Sequence, residues 1–160
     1  MEKLEKLKKE RAELDKRIEA LEYAECLFEE GEKIWSIDHF GNVQSGNWGD
    51  YAWIDEAFIQ GHIFLTEKEA KLEVERRNLL NRFKMFREKC NGEWKPDFNL
   101  ADEHFYFIIA EDNRFLNCES SKWDNTFNLF GYFKNISDCN KAIELFGDEI
   151  KELFLDCEGD

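Results

Sequence analysis

The first turns of the chain alternate apolar and charged positions with a seven-residue period. Leu4, Arg11, Ile18 and Glu25 share one heptad position, and Leu7, Leu14, Leu21 and Phe28 share the other. Ala, Leu, Glu and Lys dominate residues 2–29, with no Gly or Pro, so the pattern predicts one long helix with a narrow apolar seam. A helix this polar buries little alone and is expected to pair. In a parallel homodimer, Lys3 meets Lys8 and Glu10 meets Asp15, and only Arg17 with Glu22 attracts. In an antiparallel pair the layers are Leu4 with Leu21, Leu7 with Ile18, and Arg11 with Leu14; Glu10 then meets Arg17 and Lys8 meets Asp15. Each such exposed pair is worth about 0.3–0.5 kcal/mol, so the signs favour the antiparallel homodimer. The alternative is packing against a helix of the same chain.

After Gly31, I-W-S-I-D (34–38) and V-Q-S-G-N-W (43–48) flank a turn at His39-Phe40-Gly41-Asn42, which predicts a hairpin. Tyr51 to Ile59 fits a strand by composition and a helical turn by the spacing of Ile54, Ala57 and Phe58. A short strand at 62–65 leads into a central helix over Thr66–Cys90. That helix starts with a capping box between Thr66 and Glu69 and stops at Asn91-Gly92. Its apolar stripe is Leu72, Leu79, Phe83, Phe86 and Cys90.

A loop holding Pro96 follows, then expected strands at 105–110, 114–118 and 126–133. A last helix, capped by Ser137, carries Cys139, Ile143, Phe146, Ile150 and Leu153 in helical phase. The tail 156–160 is expected to fray. The halves end alike, in G-H-I-F-L-T-E-K-E-A and G-Y-F-K-N-I-S-D-C-N-K-A. The expected fold is therefore α+β. A coiled-coil helix (1–30) precedes two β-β-β-α units (31–92 and 93–160), which share a mainly antiparallel sheet with helices on one face.

Charge changes the picture. The chain of 160 residues holds 36 acidic and 22 basic side chains. Residues 92–160 carry 16 acidic and 6 basic ones, so 10 of the 14 net negative charges sit there. A polyanion is repelled by such a surface, which argues against direct nucleic-acid binding and for a partner protein with a basic surface. No apolar run reaches the roughly 18–20 residues a membrane span needs. Five scattered cysteines (Cys26, Cys90, Cys118, Cys139, Cys157) without a C-x-x-C pair or signal peptide predict reduced thiols in a cytoplasmic protein.

Chemistry-bearing motifs do not emerge. His39, His62 and His104 lie outside any nucleophile or metal-ligand spacing, and no phosphate-binding glycine pattern occurs. The expectation is a protein with no catalytic residues, metal or cofactor. Cys90 and Cys139, in apolar stripes, are expected as packing residues. What remains are surfaces. Trp48, Trp53 and Trp123 stand beside turn residues, next to Asp50, Asp55 and Asp124; Asp148, Glu149 and Glu152 add an acidic helix face. These are the expected partner-binding residues, and Leu4, Leu7, Arg11, Leu14, Ile18 and Leu21 the expected dimerisation set. Trp residues beside turns equally suit core lids. The central helix is basic in its second half (Arg76, Arg77, Arg82, Lys84, Arg87, Lys89), to pair with the acidic C-terminal unit or line a pocket for an anion.

The pattern W-S-I-D-x-x-G-x-V…W, followed by I-F-x-T-E-x-E-A, resembles a loose set of small phage and prophage accessory proteins. The similarity spans about residues 34–75 and 104–145, and it implies a phage-type accessory protein without assigning functional residues. With the charge asymmetry and self-pairing helix, it leads to one expectation. The chain is a non-enzymatic, anti-CRISPR-like protein whose acidic half inhibits a host defence protein at its basic nucleic-acid surface. The alternatives are sequestration of a nucleotide-type signalling molecule, or a structural adaptor in an assembly.

Overall fold

A computed structural model describes residues 2–49, 51–98, 103–109, 116–122 and 127–157. It is an α+β chain of four helices and five strands among those residues. Two compact units divide inside the long helix α3 (Glu67–Asn91): unit 1 is Met1–Val74 and unit 2 is Glu75–Asp160.

Unit 1 begins with helix α1 (Glu2–Leu27). Strands β1 (Lys33–Ile37) and β2 (Val43–Asn47) form the expected antiparallel hairpin, registered from Lys33 opposite Asn47 to Ile37 opposite Val43. Asp38 builds the turn. Its Oδ1 accepts from the backbone N–H groups of Phe40 (2.8 Å) and Asn42 (2.9 Å). Gly41 then takes φ +86°, a left-handed conformation that side chains disfavour. Strand β3 (Ile63–Phe64) pairs with the other edge of β1, giving the order β2-β1-β3.

The ambiguous stretch is a helix, α2 (Trp53–Ile59), because its single core side chain, Ile54, is flanked at helical spacing by Ala57 and Phe58. Core packing joins Ala24 and Phe28 to Ile34, Trp48 and Ile54, with Phe58 and Ile63 against them. Only the end of α1 takes part. Side chains 3–19 are all exposed.

The start of α3 is as expected. Glu69 N–H donates to Thr66 Oγ1 (3.1 Å) while Thr66 N–H donates to Glu69 Oε2 (3.0 Å). Gly92, at φ +57°, ends the helix, with its N–H on the Glu88 carbonyl.

Unit 2 pairs β4 (His104–Ile109) with β5 (Leu116–Ser121) antiparallel, His104 opposite Ser121 and Ile109 opposite Leu116. Phe83 of α3 centres its core, with the rings of Phe107, Phe130, Phe133 and Phe146 at 5.4, 5.0, 5.9 and 5.4 Å. Helix α4 (Ile136–Phe154) buries Cys139, Ala142, Ile150 and Leu153.

The chain's polar groups secure the segment between β5 and α4. Asn91 donates from Nδ2 to the Tyr132 carbonyl (2.8 Å) and accepts the Lys134 N–H on Oδ1 (3.0 Å). Arg87 donates to the Phe130 carbonyl, and a Cβ at position 131 would land on that guanidinium; Gly131 has none.

Four expectations are corrected. The described strands form two sheets and not one shared sheet. The segment expected as a strand at 126–133 is, from 127, a turn with one bridge. Phe105 and Phe133 exchange two backbone bonds there, because Asn128 and Gly131 fold the chain first. The last helix starts two residues earlier than Ser137, from the extended backbone of Asn135, whose side chain donates to Asp138.

The expectation of reduced, separate thiols fails for one pair. Cys118 on β5 and Cys139 on α4 form a disulfide, so Cys139 is a cross-link as well as a packing residue. Cys26, Cys90 and Cys157 are free. No helix among the described residues is long and apolar enough to cross a membrane.

Candidate binding grooves

The aromatic residues beside turns divide into two kinds. Trp48 is buried and stacks on Phe28, so it is a core lid and not a contact surface. Trp53, at the start of α2, is 50 % exposed and stacks on Tyr51 with centroids 6.0 Å apart and planes 17° from parallel. Asp55 is exposed on the same helix. Asp50, Trp123 and Asp124 lie outside the described residues.

Asp148 and Glu152 are exposed on α4, one turn apart. Glu149, between them, pairs with Arg82 of α3. The expected partner-binding residues thus lie on two elements, α2 in unit 1 and α4 in unit 2.

Trp53 lines a groove of about 530 Å³ in unit 1. The Asp38 turn supplies one wall, with Phe40 81 % exposed, and α2 supplies the other through Trp53 and Glu56; Gln44 and His62 complete it. Asn42 donates to Asp38 from its side chain (3.0 Å) and backbone, and the Phe40 N–H adds to them. These bonds hold the Asp38 carboxyl below the usual range, against a smaller opposing effect of burial. Glu56 Oε2 accepts from Arg17 of α1 (2.6 Å), and Oε1 accepts from Gln60 (3.0 Å). Phe40 and Glu56 escaped the sequence reading because neither carries a motif. The turn signal around Gly41 was visible, but not that the turn sets Phe40 beside α2.

The basic half of α3 is largely engaged within unit 2. Arg76 donates to the Leu153 carbonyl (2.7 Å) and to Cys157 Sγ (3.0 Å), and lies over the Phe154 ring. Arg82 has Glu149 and Arg87 has Phe130. A groove of about 510 Å³ nevertheless opens in unit 2, lined by Arg87, Trp94, Lys95 and Tyr132 together with Glu88 and Asn91. The Cys90 thiol, near it in sequence, is pushed up by burial and by the Asp138 carboxylate. Burial favours its neutral form.

Of the expected dimerisation residues, Leu4, Leu7, Arg11, Leu14 and Ile18 are exposed and Leu21 is half-buried. Arg11 pairs with Asp15 along the helix. Among the described residues, no three His, Cys, Asp or Glu side chains gather to hold a metal ion. No family model, curated protein or solved structure matches the chain.

Proposed function

We propose that this chain is a non-enzymatic binding protein of the phage-accessory kind. On this reading it self-associates through α1 and inhibits a host defence protein, such as a CRISPR nuclease, by covering a basic nucleic-acid-binding surface. The observation that carries the reading is the bare apolar seam of α1. Leu4, Leu7, Leu14 and Ile18 are each half or more exposed on a helix whose side chains 3–19 are all exposed. Most helical stability in proteins comes from packing an amphipathic face, so a second copy packed antiparallel as a coiled coil supplies the missing burial. A hairpin with a helix after it recurs in both units, a coarser repeat than the expected β-β-β-α pattern. The exposed acids of α4 and the net charge of −14 suit a basic partner.

The test is phage plating on a bacterium whose CRISPR nuclease targets that phage. Expression of the chain should restore plating, and Leu7→Glu with Leu14→Glu should lower both the effect and the dimer mass seen by native mass spectrometry. Unchanged plating across hosts with different nuclease types overturns inhibition; a monomer at tens of micromolar overturns self-association.

A second reading is favoured by the groove of unit 2. Its lining holds two cations, Arg87 and Lys95, and the rings of Trp94 and Tyr132, a set of groups suited to an anionic, ring-containing ligand such as a nucleotide. Sequestration on this reading leaves an added mass of a few hundred daltons on the protein purified from a bacterial host, whereas the inhibitor reading leaves none.

A further inference from the structure

The groove of unit 1 has the opposite electrostatic character. Two carboxylates, Asp38 and Glu56, and two exposed rings, Phe40 and Trp53, line it, and among the described residues its lining holds no lysine or arginine. An anionic ligand is repelled there, and a purely apolar one makes no use of the Asp38 charge or of the open acceptor positions on Glu56, whose present counter-charge is Arg17. A planar cation satisfies both features.

We propose that this groove is the docking site for an arginine side chain of a partner protein. The proposal rests on the reading that the partner has a basic surface, and it names where on this chain that surface is gripped.

The two carboxylates play different parts. Asp38 has four donors on it: Phe40 N–H, Asn42 N–H, Asn42 Nδ2 and Gln44 Nε2, the last at 3.3 Å. That fills the acceptor capacity of a carboxylate, so Asp38 contributes a fixed negative charge and no direct bond. Glu56 is different. Each of its oxygens has one donor, Arg17 on Oε2 and Gln60 on Oε1, which leaves a second acceptor position on each.

Arginine fits better than lysine. The guanidinium is flat, weakly hydrated and stacks on aromatic faces while donating sideways to a carboxylate; the ammonium is a compact, strongly hydrated point charge. The chain shows the same chemistry internally, since Arg17 already presents a guanidinium to Glu56. Arg17 is therefore a competitor for the carboxylate. Its removal and the neutralisation of Glu56 break the same ion pair yet should move binding in opposite directions.

The experiment is a two-dimensional NMR titration of the full, ¹⁵N-labelled chain with acetyl-Gly-Arg-Gly-amide. The lysine and glutamine tripeptides serve as comparisons. Saturable shifts are expected at the Trp53 indole N–H and at the side-chain amides of Gln44 and Gln60 with the arginine peptide. They should be weaker with lysine and absent with glutamine.

Arg17→Ala should tighten binding about threefold, the equivalent of one exposed ion pair. Glu56→Gln and Trp53→Ala should each weaken it by about three- to fivefold. Equal shifts with lysine and arginine spread over the acidic surface overturn the proposal. So does movement of Arg17→Ala and Glu56→Gln in the same direction, or no saturable shift at Trp53.

The plating assay keeps the two readings apart. Inhibition undiminished by Trp53→Ala, at expression levels that limit the unaltered chain, overturns the groove and leaves the inhibitor standing. Arginine-specific shifts without inhibition by the unaltered chain do the reverse.

Discussion

Phe28 and Trp48 stack within unit 1, with ring centroids 4.8 Å apart and planes 22° from parallel. The contact is reinforced on the main chain, where Gly31 N–H donates to the Trp48 carbonyl and Trp48 N–H donates to that of Glu32. The residue leaving α1 and the residue leaving β2 are thereby fixed to one another, with the Phe58 ring edge-on to both.

Removing that stack should be costly. Trp48→Ala is expected to lower unfolding free energy by about 3–5 kcal/mol, as for other buried aromatic deletions. Trp53→Ala, five residues on but half exposed, should stay within about 0.5 kcal/mol. Urea denaturation followed by circular dichroism measures both. Equal losses would show that Trp53 also belongs to the core.

The Asp38 turn gives a pH dependence whose sign is fixed. Its folded pKa lies below the ordinary aspartate value of about 3.9, chiefly through the Asn42 side-chain and backbone bonds. The stabilisation it gives is therefore complete above that ordinary value and is lost as pH falls through the folded one. Carbon-13 titration of the Asp38 carboxyl should show a midpoint below the ordinary value. Asp38→Asn should make unfolding less pH-sensitive under acid conditions. A midpoint at or above about 3.9 would show that the bonds from Asn42 do not favour the charged form of Asp38.

The capping box at the start of α3 should be separable from its charge. Thr66→Ala is expected to cost about 1 kcal/mol, whereas Thr66→Ser and Glu69→Gln preserve the reciprocal bonds and should cost less. Amide hydrogen exchange at Glu69, whose N–H Thr66 holds, should quicken only in the alanine variant.

Reduction of the Cys118–Cys139 bridge, which closes a sequence separation of 21, should cost about 2–4 kcal/mol. The denaturation midpoint of the unaltered chain should fall in a phosphine reductant. That of a Cys118→Ala, Cys139→Ala double variant should not respond. A midpoint insensitive to reductant in both would show that the bridge adds nothing.

Local signals were readable in the sequence and long-range ones were not. Thr66 with Glu69, and the hairpin around Gly41, are written within a few neighbouring residues, and they stand as expected. Tyr51–Ile59 offered nine residues in which β-type composition opposed helical spacing, and burial of Ile54 against the core decided for the helix.

Trp48 and Trp53 each stand two residues before an aspartate and close to a turn, which does not say which of them is buried. Packing against Phe28 and Phe58, distant in sequence, places Trp48 in the core. The disulfide joins two cysteines that alternate freely with other partners on paper, and strand β5 and helix α4 choose the pair. The groove of unit 1 needed two segments, the Asp38 turn and α2, brought side by side.

Arg87 and Gly131 carry a consequence for how this protein can change over generations. The bond from Arg87 to the Phe130 carbonyl leaves no space for a β-carbon at 131, and Gly131 also sits at φ +69°, where side chains are disfavoured. A lineage that keeps the bond from Arg87 to the Phe130 carbonyl must keep the glycine. One that shortens residue 87 removes the clash but leaves the carbonyl without its donor and the backbone still left-handed. The two positions are therefore expected to vary together, in a fixed order: loss at 87 first, then Asn or Asp at 131, the side chains best able to tolerate that conformation.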